Sequence, residues 1–230
     1  MRRWLLLSIL LTALAGAGSL YVYLVEYDHL PPEVPVHWDI NFEPDGWASR
    51  DTALWICPAG MAALVVLTVL LPWLSPRHFD VDRFRGTYEY VMALLVALLG
   101  YLHLGMLWGG LARDFPLGRF LVAGFFLFFA LMGNVVGKVR RNFWMGVRTP
   151  WTLASEVVWD RTHRVAAWLF TGVGVVGCVA VLAGVPFLVC FAALIVVAFF
   201  PIFYSLVLYK SLERQGKLEP VGSENVTEGA

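Results

Sequence analysis

Gly133-Asn-Val-Val-Gly-Lys-Val-Arg-Arg-Asn-Phe-Trp-Met-Gly-Val-Arg-Thr-Pro-Trp-Thr-Leu-Ala-Ser-Glu-Val-Val-Trp-Asp-Arg-Thr-His-Arg164 lies between two apolar runs, Phe120–Met132 and Val165–Gly184. Each flanking run suits a helix crossing the hydrocarbon core of a bilayer, which takes about 20 residues. A linker between two such helices needs a turn and a few polar residues. This one has about thirty, dense in charge, amide, hydroxyl and indole groups. The flanks decide the fold class, and the stretch between them is where function is sought.

Outward from this segment the same pattern repeats. Of 230 residues, 59% are hydrophobic and 15% charged, against about 25% charged in a soluble domain. The apolar blocks predict six spans: Trp4–Val25, Ala53–Leu74, Tyr90–Leu111, Phe120–Val136, Val165–Gly184 and Pro186–Tyr209. Lipid offers no partner to backbone polar groups, so the expected form is an all-α integral membrane protein. Unbroken apolar runs do not fit the alternation of a membrane barrel strand. Arg2-Arg3 and Ala15-Gly-Ala17 resemble a signal peptide, but the apolar run continues through Tyr21–Val25, which favours an uncleaved helix.

Fourteen Lys and Arg fall on the side of the N-terminus and three (Arg50, Arg113, Arg119) on the other. By the positive-inside pattern both termini are expected in the cytoplasm. The expected organisation is residues 1–111 as an N-terminal membrane part with outer loop 26–52, residues 112–210 as a second membrane part with inner segment 133–164, and a polar, acidic tail over 211–230, which reads as disordered. Formal net charge is zero, so no nucleic-acid partner is expected. Cys57, Cys178 and Cys190 have no metal-ligand spacing and read as small hydrophobes; no cofactor or metal is expected.

The outer loop holds seven carboxylates and one Arg, a local charge of −6. Pro31, Pro32 and Pro35 make it begin extended. Val34, Val36 and Trp38 alternate with Pro35 and His37, which permits a short strand, and Pro44-Asp45-Gly46 has turn chemistry. Two readings compete: a solvated acidic loop with Trp38 and Trp47 at the membrane interface, or a docking surface for a cationic peptide. His37 and Asp39 are two metal-ligand types in one loop, too few to define a site.

In the inner segment, Thr149-Pro150 is a helix start, with Thr as cap and Pro at the first helical position. The spacing predicts a short amphipathic helix from Pro150 through Trp159, with Trp151, Ala154 and Val158 on one face. Arg148 beside its N-terminus offers an anion seat. The competing reading is topological, with Lys138, Arg140, Arg141 and Arg148 touching lipid headgroups. Asn134 suits a bond to another helix. His163 reads as an interfacial group and His103, inside the third span, as a neutral hydrogen-bonded one.

Two motifs resemble known patterns. Leu30-Pro-Pro-Glu-Val-Pro-Val-His-Trp38 with Pro44-Asp-Gly-Trp-Ala-Ser-Arg50 resembles a small N-terminal domain of unknown function found on bacterial membrane proteins. Gly133-Asn134, Lys138-Val-Arg140, Asn142, Gly146-Val-Arg148-Thr149-Pro150-Trp151-Thr-Leu153 and Trp159-x-x-Thr162-His163-Arg164 resemble the SdpI family. Departures are Phe42 where Gly is usual, Arg141 for a common Pro, and Ala166-Ala167 where a Gly is usual.

The resemblance implies a multi-pass protein of the bacterial plasma membrane that protects its host from a secreted peptide and engages a cytoplasmic regulator. The expected partners are thus membrane lipids, a cationic peptide outside and a regulator inside. The inner motif residues just quoted, with His37, Trp38, Asp39, Asp45 and Gly46 outside, are the candidate binding residues. The alternatives are a transporter or lipid-binding protein using Arg148, and a membrane enzyme using His163 with Glu156 and Asp160. The second lacks His-Glu-x-x-His and Gly-x-Ser-x-Gly.

Overall fold

Six helices of the computed structural model are long and apolar enough to cross a membrane. It describes residues 3–41, 43–76, 81–111 and 117–218. The spans are α1 (Arg3–Tyr21), α2 (Arg50–Leu74), α3 (Arg85–Leu111), α4 (Leu117–Val136), α6 (Glu156–Leu182) and α7 (Phe187–Arg214), with a short α5 (Pro150–Ala154) between the fourth and fifth. Large apolar side chains point outward along them, Trp73 and Trp168 at 81% and 80% exposure. In water this would be an aggregation surface; against acyl chains it is the expected exterior.

The helices run further than hydropathy alone indicates. The fifth span begins at Glu156, not Val165, because Ser155 caps it by accepting the Val158 N–H. The third begins at Arg85, not Tyr90. Hydropathy marks where lipid begins, whereas the hydrogen-bond ladder continues into the headgroup layer. The expected helix from Pro150 through Trp159 is corrected by the same cap. Ser155 is extended, with φ −147° and ψ 127°, so Trp151 and Val158 belong to different helices and not to one apolar stripe.

At one end of the bundle, β1 (Glu33–Trp38) pairs antiparallel with β2 (Pro44–Ser49), Val34 opposite Ala48, with register shifts on either side of His37. This hairpin is where the alternation of Val34, Val36 and Trp38 becomes a strand. Its base is anchored by Leu30, Leu54 and Leu107, packed together from the loop, α2 and α3. Phe42 lies outside the described residues. Ser49 caps α2 by accepting the Thr52 N–H. Within the first three spans, Ser19 Oγ donates to the Leu54 carbonyl and lies 2.9 Å from His103 Nε2.

The α4–α6 contact is backbone against backbone. A Cβ on Gly174 would meet the Ala130 nitrogen at 2.3 Å, and one on Gly133 would meet the Thr171 nitrogen at 2.4 Å. Small residues let membrane helices approach this closely and gain dispersion energy where no hydrophobic force drives them together. Ala167 is accommodated because the facing glycines leave it room: Gly133 of α4 lies opposite its carbonyl and Gly137, just past α4, opposite its Cβ. α6 ends in a Schellman motif: Gly184, at φ +91°, donates to Val181 O and Val185 to Ala180 O. The chain then turns sharply into α7.

Candidate functional site: a hydrogen-bonded loop at the end of the bundle

Residues 137–155 connect α4 to α6 at the end opposite the hairpin, where Trp144 Nε1 donates to Ser75 Oγ just past α2. The loop has little regular structure, so its polar groups must be satisfied side chain by side chain. Asn142, fully buried, is the hub. Its Oδ1 accepts the N–H groups of Trp144 and Met145, and its Nδ2 donates to the carbonyls of Arg140 and Met145. Trp159, 1% exposed, donates from Nε1 to Val139 O at 2.7 Å.

His163 is fully buried and stacks on Trp159 with ring centroids 4.1 Å apart. Its Nδ1 lies 2.8 Å from Trp159 O, and its Nε2 lies 2.9 Å from the Val147 nitrogen. A carbonyl can only accept and an amide N–H can only donate. The backbone therefore assigns the tautomer: Nδ1 carries the proton and Nε2 accepts. Gly146 makes this bond sterically feasible. It adopts φ +109°, and a Cβ there would stand 2.3 Å from His163 Nε2. Gly146 and His163 are thus one joint, 17 positions apart in sequence.

Thr149 and Thr152 close a capping box on α5, and Thr152 Oγ1 also donates to Val147 O. The Thr149 hydroxyl lies 3.0 Å from that of Ser205 on α7. Pro150 has no N–H, and the Thr152 N–H is taken by Thr149 Oγ1. Arg148 is exposed and donates to the Phe143 carbonyl. Arg148 and the start of α5 thus each make a bond within the loop. Trp151 is half-buried; Thr162 is fully buried, and its Oγ1 has no partner among the described residues. Arg164 is exposed, and Arg140 reaches Asp160 at 3.6 Å. His163 bonds to neither Glu156 nor Asp160, so these three do not form an acid–base group.

Above the loop lies an apolar cavity of about 370 Å³, within the range of small-molecule pockets. Tyr88 and Met92 of α3, Phe129 and Val136 of α4, and Trp144 and Met145 of the loop line it, with Gly146 at its margin. Asn134 and Lys138 face elsewhere: they line a polar cleft with Glu89 of α3. Glu89 was not among the sequence candidates because it precedes the hydropathic edge of the third span. A lone carboxylate inside the Arg85–Leu111 helix was the available signal.

At the hairpin, the candidates are paired locally. His37 Nδ1 meets Asp45 Oδ1. Asp39 accepts the N–H groups of Asn41 and Glu43 in the turn, and these bonds, that from Glu43 foremost, hold its carboxyl below the ordinary carboxylate value. A Cβ on Gly46 would meet His37 Cβ at 2.9 Å. Trp38 is half-buried opposite Pro44. The two candidate sets therefore occupy opposite ends of the bundle and do not converge.

Residues 138–205 match the model of the SdpI/YfhL protein family, and residues 7–62 that of a domain of unknown function, DUF1648. The first interval runs from Lys138 through the hydrogen-bonded loop to Ser205, the α7 partner of Thr149. The second takes in most of α1, the hairpin and the first half of α2. The immunity protein SdpI of Bacillus subtilis (strain 168) is 25% identical over 162 residues, covering 70% of this chain and 73% of that protein. No solved structure matches. The chain is a multi-pass bacterial membrane protein in which one segment matches the DUF1648 model and another the SdpI/YfhL model.

Proposed function

We propose that the protein is of the membrane immunity type and blunts the action of a cationic, membrane-active peptide arriving at the hairpin face. The observation that carries this reading is the 162-residue similarity to a protein named for immunity. The geometry supports it in three ways. Asp28, Glu33 and Glu43 are exposed at the hairpin end, whereas Asp39, Asp45 and Asp51 are occupied locally. A field of one sign attracts ligands of the other. The hairpin base packs on Leu107 of α3, and α3 carries Tyr88 and Met92 into the cluster that holds Trp159 and Val139. One continuous helix therefore links the hairpin end to the hydrogen-bonded loop. With the N-terminus inside, that loop and the start of α6 present Arg140, Arg148 and Arg164 to the cytoplasm, where an acidic surface of a regulator would dock.

The test is survival of a host with and without the protein across a panel of cationic membrane-active peptides. Protection is expected, and Asp28→Asn, Glu33→Gln and Glu43→Gln together should weaken it on the order of tenfold, the scale of electrostatic steering. If deletion and overexpression leave sensitivity unchanged across the panel, the reading is wrong.

A further inference from the structure

We propose that the cleft between α1, α3 and α4 seats the headgroup of phosphatidylethanolamine. The cleft has a volume of about 1010 Å³ and lies at the membrane end where α1 and α3 begin. At its wall is Glu89, 4% exposed. Arg85 Nε donates to Glu89 Oε1 at 3.3 Å, while the same guanidinium holds Asp82 at 2.9 Å. One cation is thus shared by two carboxylates. Glu89 Oε2 is buried and has no partner among the described residues.

A buried carboxylate oxygen without a donor costs free energy comparable to a lost charge-assisted hydrogen bond. Native structures seldom leave such an atom unserved, and a ligand is one way of serving it. The group it calls for is a compact donor, best of all an ammonium. Around it the cleft presents the opposite charge. Arg3, Arg83 and Lys138 line it together with the Asn134 amide. These are phosphate-binding groups. The required ligand therefore carries an ammonium and a phosphate close together, which is phosphoethanolamine chemistry, with two carbons between them.

The source is assigned to a lipid because of the remaining wall. Trp4 and Tyr90 line the cleft and touch edge to face, with ring centroids 4.9 Å apart. Aromatic side chains of this kind sit at headgroup depth. The cleft opens where three membrane-crossing helices meet the interface, so a phospholipid can place its headgroup there while its chains stay in the bilayer.

The experiment is lipid binding to the purified full chain in detergent, read by native mass spectrometry. Phosphatidylethanolamine, phosphatidylcholine and phosphatidylglycerol are titrated in turn, with free phosphoethanolamine as competitor. Choline has the same charge as ethanolamine but no donor. Wild-type protein should bind the ethanolamine lipid about tenfold or more tighter than the choline lipid, the scale of one charge-assisted bond. Glu89→Gln should bring that ratio near one. Lys138→Ala, at an exposed position, should weaken both lipids together about fivefold, the scale of one exposed ion pair. Equal binding of ethanolamine and choline lipids by wild type overturns the proposal, even if Glu89→Gln fails to fold. So does a preference that survives Glu89→Gln, or phosphatidylglycerol binding as tightly as phosphatidylethanolamine. Displacement of the lipid by free phosphoethanolamine at similar concentration overturns the lipid assignment.

Discussion

Replacing Gly146 by Ala attacks the loop at its most constrained point. The new methyl carbon would lie 2.3 Å from His163 Nε2 and 3.2 Å from its Cδ2, at a residue with φ +109°. An L-residue in that backbone region stores roughly 1–3 kcal/mol of strain. The imidazole must also move, and with it goes the 2.9 Å bond from the Val147 N–H. A hydrogen bond of this kind contributes about 1 kcal/mol net, and leaving its buried partners unserved costs about 1–3 kcal/mol. Together the loss is on the order of 3–7 kcal/mol, which at about 2–4 °C per kcal/mol lowers the melting temperature by roughly 6–28 °C. Thermal unfolding in detergent followed by tryptophan fluorescence reads this, since Trp144 and Trp159 lie in the loop's own network. The decisive arm is the double variant. In a His163→Ala background the collision is gone and only backbone strain remains, so the second substitution should cost about 1–3 kcal/mol. If Gly146→Ala melts within about 2 °C of the parent, or if the two losses simply add, the joint between Gly146 and His163 is not what holds the loop.

Gly174→Ala should lower stability by about 1–3 kcal/mol, because its Cβ meets the Ala130 nitrogen at 2.3 Å and backbone cannot yield. Gly172→Ala, with nothing within 4 Å, should be neutral or stabilising, and equal melting curves for the two variants would refute the close α4–α6 contact. Asn142→Ala should cost roughly 2–4 kcal/mol by stripping four loop groups of their partner. Asn142→Asp should fail as well, since it points an acceptor at the carbonyls of Arg140 and Met145; protease protection of residues 138–149 reports both. At the hairpin, the Asp39 carboxyl is held below its ordinary value by the Glu43 and Asn41 N–H groups. Its contribution to the turn is therefore present above the unfolded value of about 3.9 and lost as pH falls through the lower folded value. The Asn41 and Glu43 amide resonances should titrate with a midpoint below about 3.9, and a midpoint at or above that value would contradict the turn geometry.

Much of the frame could be read before any coordinates. The spans were legible because each is a contiguous apolar run, and the hairpin because alternation and Pro-Asp-Gly are local signals. Thr149-Pro150 announced α5 for the same reason. The break at Ser155 was not legible, since Ser caps and Ser within a helix look alike until the Val158 N–H is seen to turn toward it. The motif residues are legible as a set, but not which of them hold the loop together. Arg148 stands out because charge is visible in sequence. Asn142, Thr152 and Trp144 proved to organise the loop, and that depends on partners such as Ser75, 69 positions away.

Sequence alone marked six runs long and apolar enough to cross a membrane, each matched by a helix among the described residues, with a polar segment of about thirty residues between the fourth and fifth. It could do so because hydropathy and turn chemistry are summed over neighbours along the chain. Tertiary structure decided what that segment is. It showed a loop tied to α2 through Ser75, to α7 through Ser205 and to itself through His163 and Gly146. It also showed that Asn134 and Lys138 line a separate cleft with Glu89. Hydrogen bonds and close packing act over about 3 Å in space, here between residues 56 and 69 positions apart. No reading along the chain carries that distance.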